Sequence, residues 1–217
     1  MITSRHNGNT FKEELKKALE KELPGLEAQL RMVPGIRRQE IEKRKWDENA
    51  KKAAVLICFY PGSNSDIELA FIRRNEYDGV HSGQISFPGG RYEESDQDLI
   101  ETALREAEEE VRILAEQVEI LGEISPVYIP PSNFFVKPVV GWTDHKPSFV
   151  PDPSEVQEVL SFTVGEITDP ANFHVRTIEH REYNLIDVPC FYVRGHIIWG
   201  ATAMMLSEMI AVLDRIK

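Results

Sequence analysis

The chain has 217 residues, of which 41% are hydrophobic and 28% charged, and its net charge is −11. That length can bury a sizeable core in one domain, and the composition is that of an ordinary globular protein. The negative charge argues against a nucleic-acid or anionic-membrane surface, no apolar run reaches the roughly 18 residues a transmembrane helix needs, and the polar, charged N-terminus is unlike a secretory signal.

Phe11, Leu15, Ala18 and Leu19 recur at helical spacing within residues 9–30, and Leu23-Pro24-Gly25 breaks that pattern. The highly charged segment up to about Lys52 reads as a second helix or a loose arm and shows no chemistry. Arg37, Arg38, Lys43, Arg44 and Lys45 read as a solvated basic face, with a phosphate contact as the sharper alternative. Residues 1–50 are therefore expected as a charged helical extension, and 51–217 as the domain proper. Ala53–Tyr60 is a continuous apolar run, which predicts a buried strand. Pro61-Gly62-Ser63-Asn64 is a turn signal. Ile67, Leu69 and Phe71 alternate along the next strand, which ends at Arg73-Arg74.

The segment Phe87–Ile113 carries the chemistry. A Pro-Gly-Gly turn leads into a predicted helix with Arg105, Glu106, Glu109 and Glu110 in the pattern R-E-x-x-E-E, and Ser95 or Asp96 can cap its start. Glu106, Glu109 and Glu110 share one helix face, where like charges repel. A hard divalent cation relieves that repulsion, and Mg²⁺ is commonly shared between carboxylates and substrate phosphates. Ile100, Ala103, Leu104, Ala107 and Val111 form a separate apolar stripe facing a core. Arg105 stands one turn from Glu101 and from Glu109 and is placed to hold a carboxylate. The bland alternative is a solvated acidic face.

Strand patterns follow near Val118–Ile124 and Phe134–Trp142, with a loop at residues 128–133 that could border the site. Glu155–Phe162 and Tyr183–Val193 are further strand candidates. Trp199–Ile216 reads as a helix with Ala203, Leu206, Ile210 and Leu213 on one stripe. Interleaved strands and helices imply an α/β fold with a mixed sheet covered by helices. Cys58 and Cys190 form no C-x-x-C; Cys58 fits a small core residue, and the pair fits a cytoplasmic protein. No histidine spacing suggests zinc, and the Gly89-Gly90 turn lacks the ending of a P-loop.

The stretch from Gly90 to Ile113 resembles the Nudix box, G-x5-E-x7-R-E-U-x-E-E-x-G-U, where U is aliphatic. Gly90, Arg105, Glu106, Ala107, Glu109, Glu110 and Ile113 match. The gap from Gly90 to Arg105 is one residue longer, Asp96 lies nearest the first Glu, and Arg112 replaces the second Gly. Upstream, Leu69, Arg73, Gly83 and Phe87-Pro88-Gly89-Gly90 resemble the extra motif of the coenzyme A pyrophosphatase branch, L-L-T-x-R-S-x3-R-x3-G-x3-F-P-G-G. That motif's second Arg falls near Asp78, and the Arg73–Gly83 spacing is one residue longer. The longer gap in the box and the segment Trp199-Gly200-Ala201-Thr202-Ala203 also look like this branch. The resemblance covers roughly residues 50–217.

It implies a Nudix-type α/β/α sandwich with a mixed sheet, Mg²⁺ or Mn²⁺ as cofactor, and cleavage of coenzyme A or acyl-CoA to 3′,5′-ADP and (acyl-)4′-phosphopantetheine. The expected metal ligands are Glu106, Glu109, Glu110 and the Gly90 carbonyl, with Arg105 orienting the carboxylates. The general base is expected to be Glu109 or Glu155; Glu155 follows Pro151-Asp152-Pro153 and precedes a strand, and its bland reading is a surface turn residue. Arg73, Arg74, His81, Ser82 and Gly89 are expected to meet the substrate, with a surface strand pair as the alternative for the two arginines. A CoA-like phosphate compound is the expected partner, and the resemblance leaves room for a homodimer. Two other functions stand beside this one: a Nudix hydrolase of another nucleoside diphosphate derivative, such as ADP-ribose or a dinucleotide, and a non-catalytic Nudix-fold binding module.

Overall fold

The computed structural model describes residues 8–35, 38, 41, 49–63, 66–75, 83–179 and 184–216. Helices α1 (Gly8–Leu19) and α2 (Gly25–Gln29) precede the long strands β1 (Lys51–Pro61) and β2 (Ile67–Arg74). Two short strands, β3 (Ile85–Ser86) and β4 (Gly89–Arg91), lead into α3 (Leu99–Val111). Strands β5 (Glu119–Glu123), β6 (Val127–Ile129), β7 (Phe134–Trp142) and β8 (Val156–Thr163) follow. The short helix α4 (Val164–Thr168), strands β9 (Phe173–Glu179), β10 (Asn184–Val193) and β11 (His196–Ile198), and helix α5 (Gly200–Leu213) come next.

The larger sheet runs β3-β2-β1-β7-β5, with β4 on β1, β6 on β7 and β8 on β2. β1 and β7 pair in parallel from Lys51↔Phe134 to Phe59↔Trp142, while β1–β2, β1–β4 and β2–β8 are antiparallel. The sheet is therefore mixed, as expected. A smaller sheet runs β11-β10-β9.

Both faces of β1 are covered, which explains its unbroken apolar run. Val55, Ile57 and Phe59 face a core shared with α1 and α5. Ala54, Leu56 and Cys58 face Ala103, Ala107 and Val111 of α3. Helices thus lie on both sides of the sheet, giving the α/β/α sandwich. Burial pushes the Cys58 thiol up to about 12, so it stays a neutral core group.

Three local expectations need correction. The segment 128–133 is not a plain loop: β6 and a 3-10 turn at Pro130–Ser132 fold it back on β7. The stripe on α5 is too narrow. Met204, Met205, Met209 and Val212 are also buried, because the helix is enclosed by the sheet and by α1 and α2. Strand β9 had no counterpart among the expected strands; its alternating residues leave Phe173 and Val175 exposed, so no apolar run marked it.

The charged N-terminal segment contributes to the main core. Phe11 and Leu15 are fully buried, and the Phe11 ring lies 5.7 Å from that of Phe59 and 6.2 Å from that of Trp142. Glu208 on α5 ties α2 to the end of β5. Its carboxylate accepts from Gly25 N (3.0 Å), Gln29 Nε2 (2.7 Å) and Ser125 N (3.2 Å).

Candidate active site

Helix α3 begins at Asp98, whose side chain accepts from Ile100 N (2.8 Å) and Glu101 N (2.9 Å). The cap is thus Asp98 rather than Ser95 or Asp96. Asp96 is instead buried and takes two hydrogen bonds from Arg105, 2.8 Å from Nε and 3.0 Å from Nη2. This fork-to-fork pair, with the Glu93 amide and the Thr102 hydroxyl, holds the Asp96 carboxyl well below the usual carboxylate range. Asp96 therefore braces the site in place of the missing glutamate. The signal was available, since Asp96 lies six residues after Gly90, where the pattern asks for a carboxylate.

The helix ends at Arg112, in the left-handed conformation at φ 59° and ψ 39°. Its N–H donates to Glu108 O, and Ile113 N donates back to Ala107 O. This is the turn that a glycine makes easily. Arginine at that position does not extend the helix; it accepts the strained conformation.

Arg105 is braced by Asp96 and in turn braces the acidic face. Its Nη1 donates to Glu106 Oε1 (3.0 Å) and to Glu109 Oε2 (3.1 Å), and its Nη2 to Arg91 O (3.0 Å). The expected contact with Glu109 forms, while Glu101 turns instead to the Gln97 amide. Glu106 rests against Gly90, where any Cβ would overlap its carboxylate. Burial raises the Glu106 pKa, Arg105 opposes the rise, and Glu109 and Glu155 add to it.

Glu110 is the most unusual group. It is 2% exposed, and its Oε2 accepts from Gly89 N at 2.8 Å. That amide is reachable because Gly89 sits at φ +151°, pressed on the β1 backbone where a side chain would clash. The other oxygen, Oε1, is buried with no hydrogen bond, 3.7 Å from Arg74 Nη1. Burial pushes its carboxyl up to about 7, against the pull of Arg74 and the Gly89 amide.

Glu155 is brought to the same place by the loop before β8. Val150 N donates to Val111 O and Asp152 N to Glu110 O, pinning the loop on the end of α3. Glu155 is exposed there, and its charge bears on both Glu106 and Glu110. The two arginines of β2 are separated, because successive strand residues face opposite ways. Arg74 joins Glu110 on the α3 side. Arg73 donates from Nη2 to His196 Nδ1 (2.8 Å) and from Nε to Glu158 (3.3 Å) on the other. His81 and Ser82 lie outside the described residues.

Among the described residues, no three His, Cys, Asp or Glu side chains already converge as a metal cage. Arg105 and the Gly89 amide hold the carboxylates instead. The donor set nevertheless suits a hard divalent cation: it is all oxygen, and the buried Glu110 Oε1 accepts no hydrogen bond.

A sheet between helical layers, with an arginine-braced glutamate helix over a Gly-Gly turn, narrows the class. The family model of the NUDIX domain matches residues 50–181, and the chain belongs to the Nudix family of hydrolases. It is 30% identical over 171 residues to the uncharacterized Nudix hydrolase NudL of Photorhabdus laumondii, covering 76% of this chain and 87% of that one. It is 35% identical over 159 residues to NudL of Yersinia pestis, covering 73% and 78%. The solved Nudix hydrolase RenU from M. smegmatis shares the fold, at TM-score 0.51 and 16% identity over 77% of this chain and 88% of that one. Nudix hydrolases generally use divalent metal ions. Among the described residues, no helix is long and apolar enough to cross a membrane.

Proposed function

We propose that the protein hydrolyses the diphosphate bond of coenzyme A or an acyl-CoA, releasing 3′,5′-ADP and (acyl-)4′-phosphopantetheine. The observation that carries the hydrolytic reading is Glu110, a buried carboxylate with one oxygen unmet, beside Glu106 and under the charge of Glu155. A module that only binds has little use for such a cluster, since it raises the energy of its own ionised state.

Glu106, Glu109, Glu110 and the Gly90 carbonyl would hold Mg²⁺ or Mn²⁺. Such an ion supplies positive charge for the diphosphate oxygens and acidifies water at neutral pH. Arg105 fixes the directions of Glu106 and Glu109, and Asp96 fixes Arg105. Glu155 takes the proton of the attacking water on its carboxylate; it is exposed and anchored through its own loop, whereas Glu109 is engaged by Arg105. Arg74 faces the diphosphate from the side of Glu110. Gly89 and Gly90 let substrate and metal approach the backbone; His81 and Ser82, outside the described residues, are assigned to substrate contact only by their place before the Gly-Gly turn in the sequence. Arg73, held by His196 and Glu158, serves a more distant part of the substrate.

Coenzyme A is favoured by the pattern from Leu69 to Gly90 and by Trp199–Ala203. The position near Asp78, where the pattern has an arginine, favours a second reading, in which the diphosphate belongs to ADP-ribose or a dinucleotide. A cytoplasmic site of action accords with two unpaired, buried cysteines. Turnover of coenzyme A, ADP-ribose and a dinucleotide should be compared in Mg²⁺, Mn²⁺ and EDTA. Faster metal-dependent release of 3′,5′-ADP from coenzyme A is expected; preference for ADP-ribose would refute the substrate and keep the chemistry.

A further inference from the structure

Glu110 and Arg74 form an ion pair that is poorly made on both sides. The separation of 3.7 Å is beyond hydrogen-bond reach, and Glu110 Oε1 has no hydrogen bond from any described group. Arg74 Nε is likewise buried and unpartnered, while the side chain as a whole is 26% exposed. Its contact with Glu110 is thus an ion pair without a hydrogen bond, made by a side chain that is partly open to solvent. Contrast Arg105, which spends its donors on Asp96, Glu106, Glu109 and the Arg91 carbonyl. The two arginines on this face therefore differ in kind: one is a brace, the other a loosely placed counter-charge.

A carboxylate buried to 2% exposure needs a positive neighbour when ionised. Arg74 is the cation that the structure puts within ion-pair distance of it among the described residues. A divalent ion entering at Oε1 would meet that guanidinium head-on, and the two positive charges cannot share one oxygen at close range. We propose that Arg74 is an exchangeable counter-ion: it neutralises Glu110 until a divalent cation displaces it, and the displaced guanidinium then binds a phosphate of the substrate. Cation entry and the assembly of the phosphate site become one event, so the protein holds phosphate firmly only when it is loaded with metal. This rests on the diphosphate-hydrolase reading and is indifferent to which diphosphate is cleaved.

The test is direct binding. Mn²⁺ affinity is measured by electron paramagnetic resonance for the full chain and for Arg74→Gln, and methylenediphosphonate binding by calorimetry at saturating Mn²⁺. Removing the competitor tightens Mn²⁺ about tenfold or more, while the diphosphonate weakens by about tenfold. Arg74→Lys, which retains the charge, stays within about threefold of wild type for Mn²⁺ and guards against a folding defect in Arg74→Gln. Unchanged or weaker Mn²⁺ binding by a folded Arg74→Gln overturns the exchange, because it makes Arg74 a simple support for Glu110. Diphosphonate binding unaffected by the substitution overturns the second half. Neither readout involves coenzyme A, so a wrong substrate leaves both standing.

Discussion

Replacing Glu110 by glutamine should kill hydrolysis and at the same time stabilise the metal-free protein. Burial raises this carboxyl from an ordinary 4.5 to about 7. Below 4.5 the group is protonated in both folded and unfolded chains and costs nothing. Between 4.5 and about 7 the unfolded chain ionises first, so stability falls as pH rises through the window. The full loss is about 3 kcal/mol once pH exceeds the folded value. Glutamine is never ionised, and its carbonyl can still accept from Gly89 N, now 2.8 Å from Glu110 Oε2. The variant should therefore match wild type near pH 4.5 and exceed it by about 3 kcal/mol at pH 8 in EDTA. For a chain of this size that is roughly 6–12 °C in melting midpoint. Urea unfolding at both pH values, with and without EDTA, reads it out. A glutamine variant no more stable than wild type at pH 8 would refute the view of Glu110 as a carboxylate held against its own solvation.

Four further outcomes follow from other contacts. Asp96→Ala strips the buried anchor from Arg105 and should cost about 3–5 kcal/mol in urea unfolding at pH 7; because the Asp96 pKa is depressed, the wild-type contribution fades as pH falls toward and below its ordinary 3.8. Gly90→Ala drives Glu106 from its seat, so calorimetric Mg²⁺ affinity should drop by about ten- to a hundredfold with the fold retained. Arg112→Gly relieves a left-handed arginine and should add about 0.5–1 kcal/mol to chemical stability, without change in kcat. Glu208→Gln replaces one of the two accepting oxygens by an NH₂, so at least one of the three donors on Glu208 loses its acceptor, which should cost about 1–3 kcal/mol and leave metal affinity intact.

The large elements were legible because their signals are local. An unbroken apolar run made β1 a doubly covered strand, and Phe134–Trp142 was read at its observed limits although Lys137 interrupts its apolar residues. The acidic helix declared itself through one face of like charges. What escaped depended on partners far along the chain. Asp96 looked like a cap until Arg105, nine residues later, was seen to close on it with both nitrogens. Charge in residues 1–50 suggested an extension, and Phe11 shows its buried side only against Trp142. Arg73 and Arg74 looked equivalent in sequence; the alternation of β2 sends one to His196 and the other to Glu110. Glu155 was singled out by its place after a Pro-Asp-Pro turn, and the backbone bonds from Val150 and Asp152 to the end of α3 are what bring it to the carboxylates.

The most direct test of the central claim is turnover of coenzyme A in ¹⁸O-labelled water, with Mg²⁺ and with EDTA, read by mass spectrometry. Water attack on the diphosphate predicts one ¹⁸O atom in a single phosphate product, either 3′,5′-ADP or 4′-phosphopantetheine, in Mg²⁺ alone. Intact coenzyme A under both conditions, or cleavage that is unchanged in EDTA, would contradict it.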